Sequence, residues 1–206
     1  MTEQAQIVIQ RINRKRVLVP IVGTSPLIVH KFSEKAKRQM LEGMQGVKRL
    51  KESKDPQADY EGAFYRLDDG RYGFPALGFK ACMVSAARLF GKSVKMTELK
   101  QSVFIDGEWS DIDNCHLVEI CGEPVMREDI VRVGISGTDL RYRPQFTEWR
   151  ATLDVTFIES MLSVESLLSL IDAGGMSVGV GEWRVEKGGS SGTFTIDTSE
   201  ETQVIA

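Results

Sequence analysis

The sequence predicts an α+β fold: an RRM-like, ferredoxin-like antiparallel sheet with helices on one face, carrying an inserted basic arm and a C-terminal glycine-rich loop. Two β-α-β patterns with a strand pair between them are the first observation behind it. The second is the clean apolar/polar alternation of Trp149 to Phe157. The third is size and composition. A chain of 206 residues, 42% hydrophobic and 27% charged, suits one domain with a core of its own over 1–206, enlarged by an insertion at 31–62.

The elements follow in order. Arg16 to Val29 is rich in Val, Ile and Leu and is broken at Gly23-Thr24-Ser25-Pro26, a long strand with a kink. Ser33 reads as an N-cap, and Ala36, Met40, Leu41, Met44 and Val47 form an apolar stripe, so a helix runs to Gly43 or Gly46. Lys48 to Gly62 is charged and poor in core residues, a mobile surface loop. Asp68-Asp69-Gly70 between two aromatic-rich runs signals a hairpin. Pro75 opens a helix from Ala76 to Phe90, closed by Gly91. It is apolar on most sides, with Lys80 and Arg88 as its main charges. Val103 to Gly134 reads as short strands and turns, with Phe104, Ile105, Leu117, Val118, Ile120, Val125 and Val131 facing inward. Trp149 to Phe157 is the clearest half-buried strand. Ser163 caps a helix carrying Val164, Leu167, Leu168 and Ile171, stopped by Gly174-Gly175. Gly192 to Ile196 is a last strand, and 197–206 is a frayed acidic tail.

Charge is distributed unevenly. Residues 1–54 hold twelve Lys/Arg against four Glu, a formal +8, so the remainder of a chain at −3 carries −11. Such asymmetry suits one face for a polyanion, although a solvated basic helix beside an acidic tail has the same composition. No apolar run is long enough to span a membrane, and no basic segment followed by an apolar run marks a signal peptide at Met1 to Gln10. Cys82, Cys115 and Cys121 are odd in number and form no C-x-x-C pair. They read as thiols in a reducing cytoplasm. With only two histidines, neither at ligand spacing, no metal site and no cofactor are expected.

The segment 174–192 carries seven glycines and follows a helix rather than opening one. A dinucleotide fingerprint or P-loop needs the reverse order, so nucleotide-cofactor binding is disfavoured. Gly179 and Gly181 allow close approach of backbone N–H groups to an anion or another chain, and Arg184 and Lys187 add charge. A flexible hairpin using glycine only for its turns fits the same pattern.

This helix, Gly-hydrophobic-Gly, basic stretch, glycines and strand resemble the C-terminal glycine-rich loop of the CRISPR-associated RAMP superfamily. Phe74-Pro75-Ala76-Leu77-Gly78-Phe79-Lys80-Ala81 resembles the family's Pro-Gly-Ser-Ser-Leu-Lys-Gly motif, and Ser25-Pro26-Leu27-Ile28-Val29 its Thr-Pro-Leu segment. The three come in the family's order across Thr24 to Phe194. The resemblance is to the backbone subunits that line CRISPR RNA, diverged phage or mobile-element relatives included. It implies an RRM-like fold, single-stranded RNA (or DNA) as ligand, a homo-oligomer or filament, and other effector subunits as partners. Two departures matter. Leu77 and Gly78 replace the motif's serines, and His30-Lys31-Phe32-Ser33 lacks the Asp of RNA-cleaving members, so metal-dependent cleavage is not expected.

The nucleic-acid-binding candidates are therefore Lys80 and Arg88, then Lys35, Lys37, Arg38, Lys48 and Arg49 of the arm. Arg141, Tyr142 and Arg143 join them as a backbone-and-stack element, and Gly179, Gly181, Trp183, Arg184 and Lys187 as the loop. Tyr142 and Trp183 could stack bases; exposed turn residues account for 141–143 equally well. His30 is the single catalytic candidate, a general acid/base standing beside Lys31 without a second catalytic group. His116 reads as structural. The reading is a single-strand-binding subunit of a self-assembling ribonucleoprotein that recognises backbone, not sequence. An oligomeric structural protein without nucleic acid, and a metal-independent endoribonuclease using His30, stand as the alternatives.

Overall fold

The computed structural model describes residues 11–32, 34–46, 53–134 and 137–205. Strand β1 (Arg14–Gly23) buries Val17, Val19 and Ile21 on one face. It ends at Gly23, where a Cβ would lie 2.1 Å from the Trp149 indole nitrogen, and the chain turns into β2 (Leu27–Ile28). Helix α1 (Glu34–Met44) follows. Helix α2 (Pro56–Glu61) starts at Asp55, whose side chain accepts from the Ala58 N–H at 3.1 Å, with Pro56 in the first turn. The hairpin β3 (Tyr65–Arg66) and β4 (Tyr72–Pro75) closes over Asp68-Asp69-Gly70. Helix α3 (Ala76–Ala86) runs on as a 3-10 helix over Ala87–Ser93, where Gly91 breaks the helical path at φ 61. Helix α4 (Met96–Ser102) leads into β5 (Val103–Asp106), β6 (Glu108–Ser110) and β7 (Cys115–Glu119). Next come β8 (Pro124–Val133), β9 (Gly137–Phe146) and β10 (Arg150–Ile158). Helix α5 (Val164–Ser177) is capped by Ser163, and β11 (Phe194–Ile196) and β12 (Gln203–Val204) end the chain.

The architecture is α+β with antiparallel sheets. The main sheet has the order β11-β1-β10-β5, with β12 also on β1, and every pairing in it is antiparallel. In the chain, α3 lies between β1 and β5 and α5 between β10 and β11. The two helices pack on each other, and α5 packs on β11. Between the sheet and these helices lie Leu153, Val155, Phe157, Phe79, Leu167 and Ile171, all fully buried. Burying each such side chain is worth about 1.5–3 kcal/mol. Two smaller sheets flank this body, β3-β4-β7-β6 and β2-β9-β8.

Several expectations are corrected. Gly174 and Gly175 lie inside α5 and do not stop it. A Cβ on Gly175 would sit 2.1 Å from the Phe194 carbonyl oxygen, so this glycine lets the helix lie directly on β11. The segment expected as loop up to Gly62 contains α2, because Asp55 and Pro56 supply a helix start that apolar periodicity does not register. The tail is not frayed through its described part: β12 pairs Val204 with Val17, and Asp197 is buried, held by Ser199 and Arg150. Within the stretch Val103 to Gly134, expected as short strands and turns, residues 124–133 form one long strand paired throughout with 137–146. Phe104 and Val125, expected inside, are exposed, as are Leu77, Leu89 and Phe90 around the helix expected as core. The α1 stripe of Met40, Leu41 and Met44 is exposed too.

Candidate nucleic-acid interface

The glycine-rich segment is stitched to the turn between β1 and β2. Gly192 N–H donates to the Pro26 carbonyl at 2.8 Å, Glu182 N–H to Ile28 at 2.9 Å, and Val180 N–H to Gly192 at 2.9 Å. Gly179 and Gly181 take left-handed backbone (φ 72 and 79) along this path. The N-terminal half of α3 comes up on the other side, and a cleft of about 240 Å³ remains between them. His30, Tyr65, Pro75, Gly78, Gly179, Gly181, Glu182, Arg184 and Glu186 line it.

Trp183 stands at the edge of this loop, 46% exposed, with a left-handed backbone at φ 54. A non-glycine residue holds that conformation only where its surroundings impose it. Here Ser191 N–H donates to the Trp183 carbonyl at 3.0 Å, and the Gly189 backbone presses so close that a Cβ on it would lie 1.8 Å from that oxygen. The clamp fixes the backbone and leaves the indole in water.

Charge around the cleft is mixed. The His30 Nδ1 is 3.8 Å from Glu182 Oε1. His30 lowers the Glu182 pKa most; burial opposes it, and Arg143 and Arg141 add to the lowering. Arg184 donates to the Gly181 carbonyl at 3.2 Å and pairs with Glu186 at 3.3 Å. Glu186 also accepts from the Ser85 hydroxyl at 2.7 Å, the main cause of its lowered pKa, and Arg88 lies 4.0 Å away. Lys187 follows in an exposed 3-10 turn, Val185–Lys187.

The structure thus brings Gly179, Gly181, Trp183, Arg184, Lys187, Arg88 and His30 to one region. It does not bring Lys80 there. The Lys80 ammonium lies 4.6 Å from the centre of the Phe104 ring on β5, and burial lowers its pKa. Strands β1 and β10 separate that edge of the sheet from β11. The Arg141-Tyr142-Arg143 element, read as a backbone-and-stack element or as exposed turn residues, lies in the interior of strand β9. Arg143 is 1% exposed and lies 3.3 Å from buried Asp129, which Arg127 also contacts at 2.8 Å. A guanidinium so enclosed offers nothing to a phosphate. Arg141 lies 3.7 Å from Asp139, and Tyr142 donates to Glu128, which raises the Tyr142 pKa. Lys37 and Arg38 are exposed on α1. Lys35 belongs to α1, but its side chain lies outside the described residues, as do Lys48 and Arg49 altogether. Tyr65, Ser85, Glu182 and Glu186 were not singled out from the sequence; only Glu182 and Glu186, within the glycine segment itself, carried any local signal.

Among the described residues no three His, Cys, Asp or Glu side chains converge as metal ligands, and no helix is long and apolar enough to cross a membrane. The fold defines an α+β protein with antiparallel sheets, and its candidate site is a polar cleft edged by an exposed tryptophan. No family model matches the chain, and no curated protein does. Among solved structures it is distantly similar to Cmr6 from Pyrococcus furiosus, with TM-score 0.45 and 11% identity over 91% of this chain and 100% of that one.

Proposed function

We propose that the chain binds single-stranded nucleic acid, RNA before DNA, by its backbone and by base stacking, as a subunit of a ribonucleoprotein built on an RRM-like fold. The observation that carries this reading is Trp183: a half-exposed indole, its backbone clamped in a strained conformation beside Arg184 and Lys187. Aromatic platforms flanked by positive charge suit single strands because every base has a π-face to stack. What supports the RRM-like part is the order β11-β1-β10-β5, with α3 and α5 as the two crossing helices. In this reading Arg88, Arg184 and Lys187 hold phosphates near the indole, and Lys37 and Arg38, exposed on α1, are further candidates. Lys80 and Arg143 fall outside it.

The test is fluorescence anisotropy of a labelled oligouridylate, with DNA of equal length beside it, on nuclease-treated protein at two salt concentrations. Trp183→Ala should weaken binding by about 1–3 kcal/mol, the value of one stacked base. Unchanged affinity removes Trp183 from the site. No binding at low salt overturns the reading and leaves an oligomeric structural protein without nucleic acid.

His30 favours a second reading, since Glu182 now faces it across the cleft with Tyr65 nearby. A carboxylate that orients an imidazole suits a metal-independent general acid/base. Cleavage of bound RNA in the presence of chelator, lost in His30→Ala, would establish it.

A further inference from the structure

Strand β8 is the outer strand of its sheet. β9 pairs with it over its whole length, from Pro124↔Phe146 to Val133↔Gly137, and no described strand pairs with its other edge. An edge of 10 residues without a described partner strand is a template for another chain, and proteins ordinarily blunt such edges with charged side chains, proline or a bulge. Here proline stands only at the first position, the register with β9 advances one residue at a time without a bulge, and the charges, Arg127, Glu128, Asp129 and Arg132, are of both signs. Ile130 is 74% exposed, and Val125, Met126 and Val133 are exposed beside it.

The side chains say what fits this edge. Alternation puts Glu128, Ile130 and Arg132 on one face. Two antiparallel strands related by a two-fold axis normal to the sheet set residues of like parity opposite each other. With Ile130 opposite its own copy, Glu128 falls opposite Arg132 and Arg132 opposite Glu128. On that face Glu128, Ile130 and Arg132 are their own complement, an apolar centre flanked by two pairs of opposite charge, while Asp129, turned to the other face, falls opposite Val131. On the face of Glu128, Ile130 and Arg132 the neighbouring registers lose this. They set Glu128 or Asp129 against its own copy, which is unfavourable for like charges, or Ile130 against Arg132. The one centred on Glu128 sets Arg127 opposite Asp129 on the other face, but Arg127 already pairs with Asp129 within the chain.

We propose that β8 is a homodimer interface. Two copies pair antiparallel through their β8 edges about a two-fold axis at Ile130, making one six-stranded sheet with three strands from each copy. The contact is isologous and closes on itself, so it yields a dimer rather than a filament. It does not rest on the nucleic-acid reading and survives if that reading fails.

The experiment uses the charge pattern as a code. Nuclease-treated protein is followed by sedimentation velocity over a dilution series, with circular dichroism on each variant. The parent sediments as a dimer. Glu128→Arg and Arg132→Glu each set like charges opposite one another at two positions, and each alone should dissociate more than about tenfold more readily. Mixed together, the two variants regain complementary pairs and form a heterodimer. Ile130→Asp, on an exposed position, should also give folded monomer. A monomeric parent, an open-ended assembly, single variants that dimerise as the parent does, or a mixture that stays monomeric would each overturn the proposal.

Discussion

Replacing Asp129 with Asn would isolate the charge cluster inside the β8–β9 hairpin. Arg127 and Arg143 stand directly opposite each other in register, and Asp129 contacts both, at 2.8 and 3.3 Å. Both Asp129 and Arg143 are buried, at 8% and 1% exposure. Burial lowers the Arg143 pKa, yet a guanidinium keeps its proton inside proteins, so the charge needs its counterion. Asp129→Asn leaves that charge enclosed and faces it with a second arginine. Breaking a buried pair from one side costs about 3–5 kcal/mol. Arg143→Met should cost less, because Arg127 still neutralises Asp129. The double variant Asp129→Asn/Arg143→Met should recover much of the single loss, since neutral groups of similar volume replace a buried pair at little cost. Urea denaturation with an unchanged m-value measures all three. A loss below about 1 kcal/mol for Asp129→Asn, or a double variant as costly as the two singles together, would refute the assignment and return Arg143 to the set of nucleic-acid contacts.

Gly175→Ala sets two effects against each other: alanine gains about 1 kcal/mol of helix propensity, while a Cβ 2.1 Å from the Phe194 oxygen forces β11 away at about 1–3 kcal/mol. The obstacle is backbone and cannot rotate aside, so the variant should melt lower than the parent; a higher melting temperature would show that α5 does not lie on β11. The Cys82 thiol, pushed up to about 12 by burial between α3 and α5, should resist iodoacetamide at pH 8 until denaturant is added, whereas exposed Cys121 is labelled in the folded protein. Peptide mass spectrometry reads both, and native labelling of Cys82 would contradict the packing.

What could be read from the sequence was whatever obeys a local rule. β10 was legible because its inner residues Ala151, Leu153, Val155 and Phe157 alternate with polar ones along a half-buried strand. The start of α5 was legible because Ser163 caps it, and the β3–β4 hairpin because Asp68-Asp69-Gly70 closes it. The β8–β9 hairpin was not. Its enclosed face holds Asp129 and Arg143, so burial there follows ion pairing rather than hydrophobicity. The end of α5 was misread because glycines that permit close packing look like glycines that stop a helix. The same ambiguity affects the site. Trp183, Arg184 and Lys187 could be picked out within one segment, but only the fold sets Glu182 against His30. Lys80 was placed by a motif's order in the chain, and its side chain turns to the far edge of the sheet.

The lopsided charge of the sequence also changes meaning once folded. Of the basic residues in 1–54, Lys15 pairs with Glu159, Arg16 with Asp154, Lys31 with the buried carboxylate of Asp113 and Lys54 with Asp139. The N-terminal excess of positive charge is thus partly met by the acids of the rest of the chain, and the face it leaves for a polyanion is smaller than +8 implies. Arg16 is the clearest case: it makes two hydrogen bonds to Asp154, at 2.8 and 2.5 Å, which raise its pKa. Two of its five N–H donors and most of its charge are thereby committed to Asp154. Arg38 is exposed on α1, and among the described residues no carboxylate holds it in this bidentate way. Each phosphate neutralised on a single strand contributes roughly −0.7 to the slope of log affinity against log salt. Arg38→Ala should therefore make that slope shallower by about 0.7, and Arg16→Ala should leave it unchanged. Titrations of a labelled single strand at several salt concentrations distinguish the two. Equal effects from both variants would mean that charge acts through its total over the chain, and that the pairing seen here does not decide which residues meet the ligand.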